Sequence, residues 1–198
     1  MIIHSCWTKP MLKGKERWNI QNQLVTNLWL YGYSIHCLKK IGLNADLYTD
    51  SRGLEIFDCL PYDNIYVCLD ELDEYSERFW SAGKILSLEK APLGAIHIDG
   101  DVFLQKPEIL PILNMQGYDC LVQMQERLSI YMETYNHLLP MIKNAVGYSI
   151  KGLDYSLNTA LNSGVFAFNN QQLKDDYIKG YWQMVEACHN SKNFMKVN

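Results

Sequence analysis

Short apolar runs alternate with stretches of helical periodicity along most of this chain, and that alternation restricts its fold more than any other feature. Ile2 to Trp7 reads as a first strand. A loop carrying Pro10 and Gly14 leads to a helical pattern from about Gln21 to Ile41, in which Leu24, Leu28, Tyr31, Ile35 and Leu38 recur near helical spacing. Gly42 stands where a C-terminal cap belongs. Ala45 to Thr49 is a second strand, Asp50-Ser51-Arg52-Gly53 a turn before a short helix near Leu54, and Ile65 to Leu69 a third strand. Glu77 to Lys90 is helical, with Phe79, Gly83, Leu86 and Lys90 near one stripe and Trp80, Lys84, Ser87 and Ala91 near another.

An apolar strand ending at Asp99 and another from Asp119 to Met124 follow, then helical patterns at about Ser129 to Ala145 and Gln171 to His189. Between those helices, Leu157 to Phe168 carries a turn and a hydrophobic strand. Strands separated by helices predict an α/β fold whose central sheet is mostly parallel and covered on both faces. No repeat or low-complexity linker interrupts the pattern, so one domain over residues 1–198 is expected.

The chemistry concentrates in Gly94-Ala95-Ile96-His97-Ile98-Asp99-Gly100-Asp101-Val102-Phe103-Leu104. In an extended backbone Asp99 and Asp101 face one side roughly 6–7 Å apart. Carboxylates that close repel unless a cation or a proton sits between them. Oxygen-only ligation suits Mg²⁺ or Mn²⁺, which keep positions open for water or substrate phosphates. Gly100 lets a substrate approach the backbone. Open α/β sheets place ligands at the carboxyl ends of their strands, where this pair stands. Pro107 then turns the chain out of the sheet.

A net charge of −4 argues against broad nucleic-acid binding, so an anionic ligand needs a local cation. Thirteen Tyr and five Trp are spread through the chain and read as core and rim packing. Six cysteines without a Cys-x-x-Cys pair predict reduced thiols and a cytoplasmic setting. Cys68 and Cys120, inside apolar runs, behave as small hydrophobes. No run approaches the ~18 apolar residues of a membrane span. Peripheral contact with the inner face of a membrane stays open.

The order of strand, helix, Tyr48-Thr49-Asp50, helix, strand, helix with Lys84, the Ile96–Leu104 run, and Asn162-Ser163-Gly164-Val165-Phe166-Ala167-Phe168 resembles glycosyltransferases of the GT-A fold from Ile2 to about Asn170. The resemblance implies a single Rossmann-like domain and a metal-dependent sugar transfer from a nucleotide-diphosphate donor, most commonly a UDP-sugar, to a glycan or lipid-linked acceptor, in bacterial surface polysaccharide synthesis. It makes Asp101 the direct metal ligand and Asp99 a ligand to metal or ribose. Trp7 and Thr8 would lie beside base and ribose, Lys84 near the phosphates, and Asn162 and Gly164 along the sugar pocket. His189 would add a late metal ligand. The Asp-Gly-Asp-Val-Phe-Leu run before Lys106-Pro107 looks more like the retaining families. Families of this fold usually continue past the point where Asn198 stands, so an acceptor-side extension is expected to be lacking here.

Each candidate also has a plainer reading. A helix lysine such as Lys84 is commonly solvated. Asn162-Ser163-Gly164 is an ordinary turn sequence, and Gly164 could mark a bulge. The Asp50-Ser51-Arg52-Gly53 turn explains Asp50 and Arg52, which could otherwise reach ribose or phosphate. Asp154 and Glu126 are candidates for the base that an inverting enzyme needs, and solvated carboxylates otherwise. His97 shares a face with Asp99 and reads as a packed, hydrogen-bonded residue. His189 also suits a helix end.

Two other functions compete. A haloacid dehalogenase-type phosphohydrolase also ends a strand in Asp-x-Asp, but it expects the pair near the chain start, and Asp175-Asp176 here falls in a helical pattern. A non-catalytic nucleotide-sugar or glycan-binding module would bind without turnover.

Overall fold

The computed structural model describes residues 1–13, 23–114, 116–127, 144 and 159–190. The expected helix at Ser129 to Ala145 and the loop holding Asp154 lie outside these residues, Asn144 apart. The elements are β1 (Ile2–Cys6), α1 (Thr8–Lys13), α2 (Gln23–Lys40), β2 (Ala45–Thr49), α3 (Ser51–Phe57), β3 (Ile65–Val67), α4 (Ala82–Lys90), β4 (Ile96–Ile98), α5 (Leu110–Leu113), β5 (Cys120–Arg127), β6 (Thr159–Phe168) and α6 (Gln171–Asn190). Short 3₁₀ turns occupy Leu69–Leu72, Glu77–Phe79 and Pro107–Ile109.

Six strands form one sheet in the order β3-β2-β1-β4-β6-β5. β3, β2, β1 and β4 are parallel, whereas β6 pairs antiparallel with β4 and β5 antiparallel with β6. The sheet is therefore mixed, with β6 alone running against the rest, in a single α/β domain flanked by helices.

Alternation along the strands assigns the two faces. Ile2, Ile96 and Ile98 pack with Ile35 and Leu38 of α2 on one face. Ile3, Phe166 and Phe168 pack with Leu88 at the end of α4 on the other. Trp7 continues that second face into a cluster with Phe79, Leu86, Val185 and Cys188, which docks α6. Of the α2 stripe, Ile35 and Leu38 are fully buried, Leu28 and Tyr31 pack against Cys6, Leu47 and Phe57, and Leu24 is exposed.

Local chemistry sets the element ends. Gly42 has φ of 80° and closes α2 in a Schellman motif, with Leu43 N–H donating to Leu38 O and Gly42 N–H to Lys39 O. Glu77 to Lys90 is not one helix. A 3₁₀ turn begins after Ser76, whose hydroxyl accepts from Arg78 N–H, and α4 starts only at Ala82. Cys120 is exposed, since β5 is the sheet edge. All six cysteines are free. Among the described residues no helix is long and apolar enough to cross a membrane.

Candidate functional site

A cleft of about 340 Å³ opens where β1 and β4 end, within the 300–1,000 Å³ range of ligand pockets. Trp7 follows β1, Asp99 and Asp101 follow β4, Lys84 comes from α4, and Tyr31 and Trp80 flank them.

The two aspartates do not sit on an extended strand. β4 ends at Ile98, and Val102 N–H donates to Asp99 O at 2.9 Å, so Asp99 to Val102 is a tight turn. Alternate-side geometry therefore does not apply to this pair. Ser34 on α2 holds the turn from below, its hydroxyl donating to Val102 O at 2.7 Å. Gly100 is constrained from the same side. A Cβ there would lie 2.4 Å from the Tyr31 ring, whose hydroxyl donates to Ser5 O at 2.6 Å. The missing side chain thus makes room for Tyr31 within the protein.

Lys84 is not solvated. Only 8% exposed, its ammonium pairs with Asp99 at 2.8 Å from Oδ1 and donates to Ser163 O at 2.8 Å and Ser163 Oγ at 3.1 Å. The cation needed to relieve the carboxylate pair is thereby partly supplied by the chain itself. Asp101 is exposed and has no hydrogen-bond or ion-pair partner among the described residues.

Ser163 reaches Lys84 through an irregularity in β6. Val122 pairs with Phe166 and Met124 with Asn162, so β6 carries two surplus residues opposite Gln123. This bulge turns consecutive carbonyls towards the cleft: Ser163 O accepts from Lys84, and Gly164 O accepts from Asp99 N–H at 2.8 Å. Gly164 leaves room there for the end of the Gln123 side chain, since a Cβ would fall 2.1 Å from Gln123 Oε1 and that exposed side chain would have to swing aside. Asn162 supports the bulge. Its Oδ1 accepts from Gly164 N–H at 2.8 Å, and its Nδ2 donates to Glu126 Oε1 at 2.6 Å. Glu126 and Asn162 therefore hold each other across β5 and β6.

Asp50 and Thr8 are likewise joined. Asp50 Oδ2 accepts from Thr8 N–H at 2.7 Å and Thr8 Oγ1 at 2.8 Å, while Oδ1 caps α3 through Gly53 N–H. Both are buried, which gives them a positioning part at the cleft wall. Arg52 is exposed on α3. Trp7 is 5% exposed, and its indole N–H is buried with no partner among the described residues.

His97 is fully buried behind Asp99. Its Nε2 lies 2.7 Å from Ser5 Oγ, and Nδ1 has no hydrogen-bond partner among the described residues. Burial, then the Lys84 charge and His4, hold its pKa well below the ordinary value, so the ring is neutral.

His189 is not gathered with the aspartates. It sits near the end of α6 with its ring 5.3 Å from Tyr75. Among the described residues no group of three or more His, Cys, Asp and Glu side chains is placed to hold a metal. Of the three expected ligands, Asp99 and Asp101 thus stand together in the turn after β4, and His189 stands apart from them near the end of α6. The periodicity of α6 carries His189 onto the packed face beside Cys188.

Sequence reading missed Ser5, Tyr31 and the Ser163 carbonyl. Alternation in β1 puts Ser5 on the His97 face, but the register that makes them neighbours is tertiary.

A family described as one of unknown function, DUF6734, matches residues 1–198. No curated protein and no solved structure matches the chain.

Proposed function

We propose that this chain, which belongs to the DUF6734 family over its whole length, is a glycosyltransferase that takes a sugar from a nucleotide-diphosphate donor with the help of a divalent cation. The observation that carries the reading is the convergence of Asp99, Asp101, Lys84 and the Ser163–Gly164 bulge at the carboxyl end of β4. These are the segments on which the resemblance to the GT-A fold rests, and they are about sixty residues apart in sequence.

The donor set suits a hard cation. Asp101 offers an exposed carboxylate without a partner among the described residues, and Asp99 a partly exposed one beside it in the same turn. An ion that arrives with a diphosphate needs only one or two protein carboxylates, so a three-ligand cage is not required. Asp101, seconded by Asp99, would hold Mn²⁺ or Mg²⁺, and the ion would supply stabilisation of charge gathering on the departing diphosphate.

The chain's own residues do the rest. Lys84 brings a positive charge whose low exposure strengthens its pull on a phosphate. Trp7 closes the wall on which the base would lie, and the Thr8–Asp50 pair fixes the backbone there. The acceptor would be a glycan or a lipid-linked saccharide.

Calorimetric titration of UDP and of GDP, with and without Mn²⁺, tests this on the wild type and on Asp101→Asn. Manganese-dependent binding weakened about tenfold or more in the variant is expected, a difference of about 1.4 kcal/mol. Absence of binding by either nucleotide in the wild type sinks the proposal. Binding without hydrolysis or transfer of any donor sugar replaces it with a nucleotide-sugar-binding module.

A further inference from the structure

Two groups address the same oxygen of Asp99. Lys84 Nζ lies 2.8 Å from Oδ1 and 3.0 Å from Oδ2, and His97 Nδ1 lies 3.7 Å from Oδ1. The longest distance is not a hydrogen bond. Among the described residues Nδ1 is therefore a buried polar atom left unsatisfied, a condition that ordinarily costs about 1–3 kcal/mol and calls for an explanation. What Nδ1 carries depends on the role of the other nitrogen. Ser5 Oγ is 2.7 Å from Nε2, and a hydroxyl that donates there leaves the single proton of a neutral ring on Nδ1, facing Asp99.

We infer that His97 is a positioning residue for Asp99, which it receives from Lys84 when an anionic ligand enters the cleft. An anion beside Lys84 competes for the ammonium, and the hold of Lys84 on both carboxylate oxygens then weakens. A shift of roughly 1 Å brings Oδ1 within hydrogen-bond reach of Nδ1–H. Ser5 keeps the ring in the required tautomer throughout.

The exchange changes what Asp99 offers. An ammonium at contact distance orients the carboxylate and also offsets its charge, whereas a neutral N–H orients it and leaves the charge in place. Lys84 thus offsets less of the Asp99 charge once an anion has drawn the ammonium away. A cation is held best at the moment the phosphorylated ligand is present, so the two ligands favour each other's binding. This inference rests on the cleft being a site for a phosphorylated ligand, and its first test is chosen to be independent of that reading.

That test is ¹⁵N-imidazole NMR on the ligand-free protein, comparing wild type with Lys84→Met. The expected wild type carries its proton on Nδ1, and removal of the ammonium moves that proton downfield as Asp99 turns to it. A proton on Nε2, or a Nδ1 proton indifferent to Lys84, overturns the inference whatever the cleft binds.

Titration of UDP with Mn²⁺ into His97→Asn and His97→Gln supplies the second test. Asparagine can return a donor near the Nδ1 position and glutamine one near Nε2. Binding within about threefold of wild type for His97→Asn and about tenfold weaker for His97→Gln, at matched thermal midpoints, is expected. Equal binding by the two variants reduces His97 to packing and overturns the inference. Failure of wild type to bind UDP instead removes the proposed function, and the NMR comparison still decides His97.

Discussion

The carboxylate of Asp50 ties the end of β1 to the start of α3: Oδ2 receives both the N–H and the hydroxyl of Thr8, and Oδ1 receives Gly53 N–H at 2.7 Å. Three donors from two distant segments converge on one buried side chain. The wall of the cleft beside Trp7 is set by this junction.

Asp50→Ala leaves Thr8 N–H and Gly53 N–H without their acceptor in a buried setting. A loss of about 3 kcal/mol is expected, summing an N-cap and at least one charge-assisted hydrogen bond. Urea unfolding measures it. A loss below about 0.5 kcal/mol would mean that water replaces the carboxylate without penalty.

Gly100→Ala puts a methyl group against the Tyr31 ring, 2.4–2.6 Å from three of its carbons. Displacement of Tyr31 breaks its bond to Ser5 O, and a destabilisation of about 2 kcal/mol is expected. The check is a double-mutant cycle with Tyr31→Ala. The space freed by Tyr31 should make the pair of changes cost less than their sum.

Lys84→Met removes the ammonium but keeps the aliphatic packing of α4. Asp99 remains about one third exposed, so the stability loss is expected to be about 1–2 kcal/mol, less than for a fully buried pair. Nucleotide affinity should fall more than stability does, by about tenfold or more. Calorimetry beside thermal melts separates the two effects.

Acid should destabilise the fold through two fully buried histidines, His4 and His97. Burial lowers the His4 pKa from 6.5 to about 3, its Nδ1 lying 2.7 Å from Tyr62 Oη and its ring packed edge-on to Tyr31. A histidine lowered in the folded state contributes stability that is present above its unfolded pKa and lost as pH falls below it, because the unfolded chain takes up the proton first. His97 acts in the same direction. Unfolding free energy is expected to drop by about 1.4 kcal/mol per pH unit for each of the two histidines below about pH 6. His4→Asn should halve that slope in urea unfolding followed from pH 7 to pH 4.5, and an unchanged slope would acquit His4.

Much of the fold was legible wherever local chemistry decides. Ala45 to Thr49 reads as a strand from its run and its flanks, and Gly42 reads as a cap from its place after Lys39 and Lys40. The 3₁₀ turn at Glu77 was not legible, because a helical stripe through Phe79 and Gly83 does not reveal the break at Trp80 and Ser81. Strand direction was not legible either: the reversal of β6 depends on its pairing with β4.

At the site, Asp99 N–H donates to Gly164 O, and Lys84 joins Asp99 to Ser163; the sequence marked both segments as candidates. The parts they play were not legible in it. Gly100 accommodates Tyr31, Asn162 braces Glu126, and the cation on Asp99 is Lys84, because each outcome depends on a neighbour brought in from another element. His189 illustrates the limit. Its residue type suits a ligand, and its position on α6 places it against Tyr75 instead.

The bulge in β6 has an arithmetic of its own. Side chains alternate with period two, and the surplus opposite Gln123 is two residues, so Phe166 and Asn162 keep the same facing on either side of it. The strand can therefore detour without turning inside out. Shortening it by two residues would preserve every inward side chain while withdrawing the Ser163 carbonyl from Lys84; shortening it by one would exchange core for solvent along the remaining length. Parity thus separates the sheet's integrity from the cleft's polar lining.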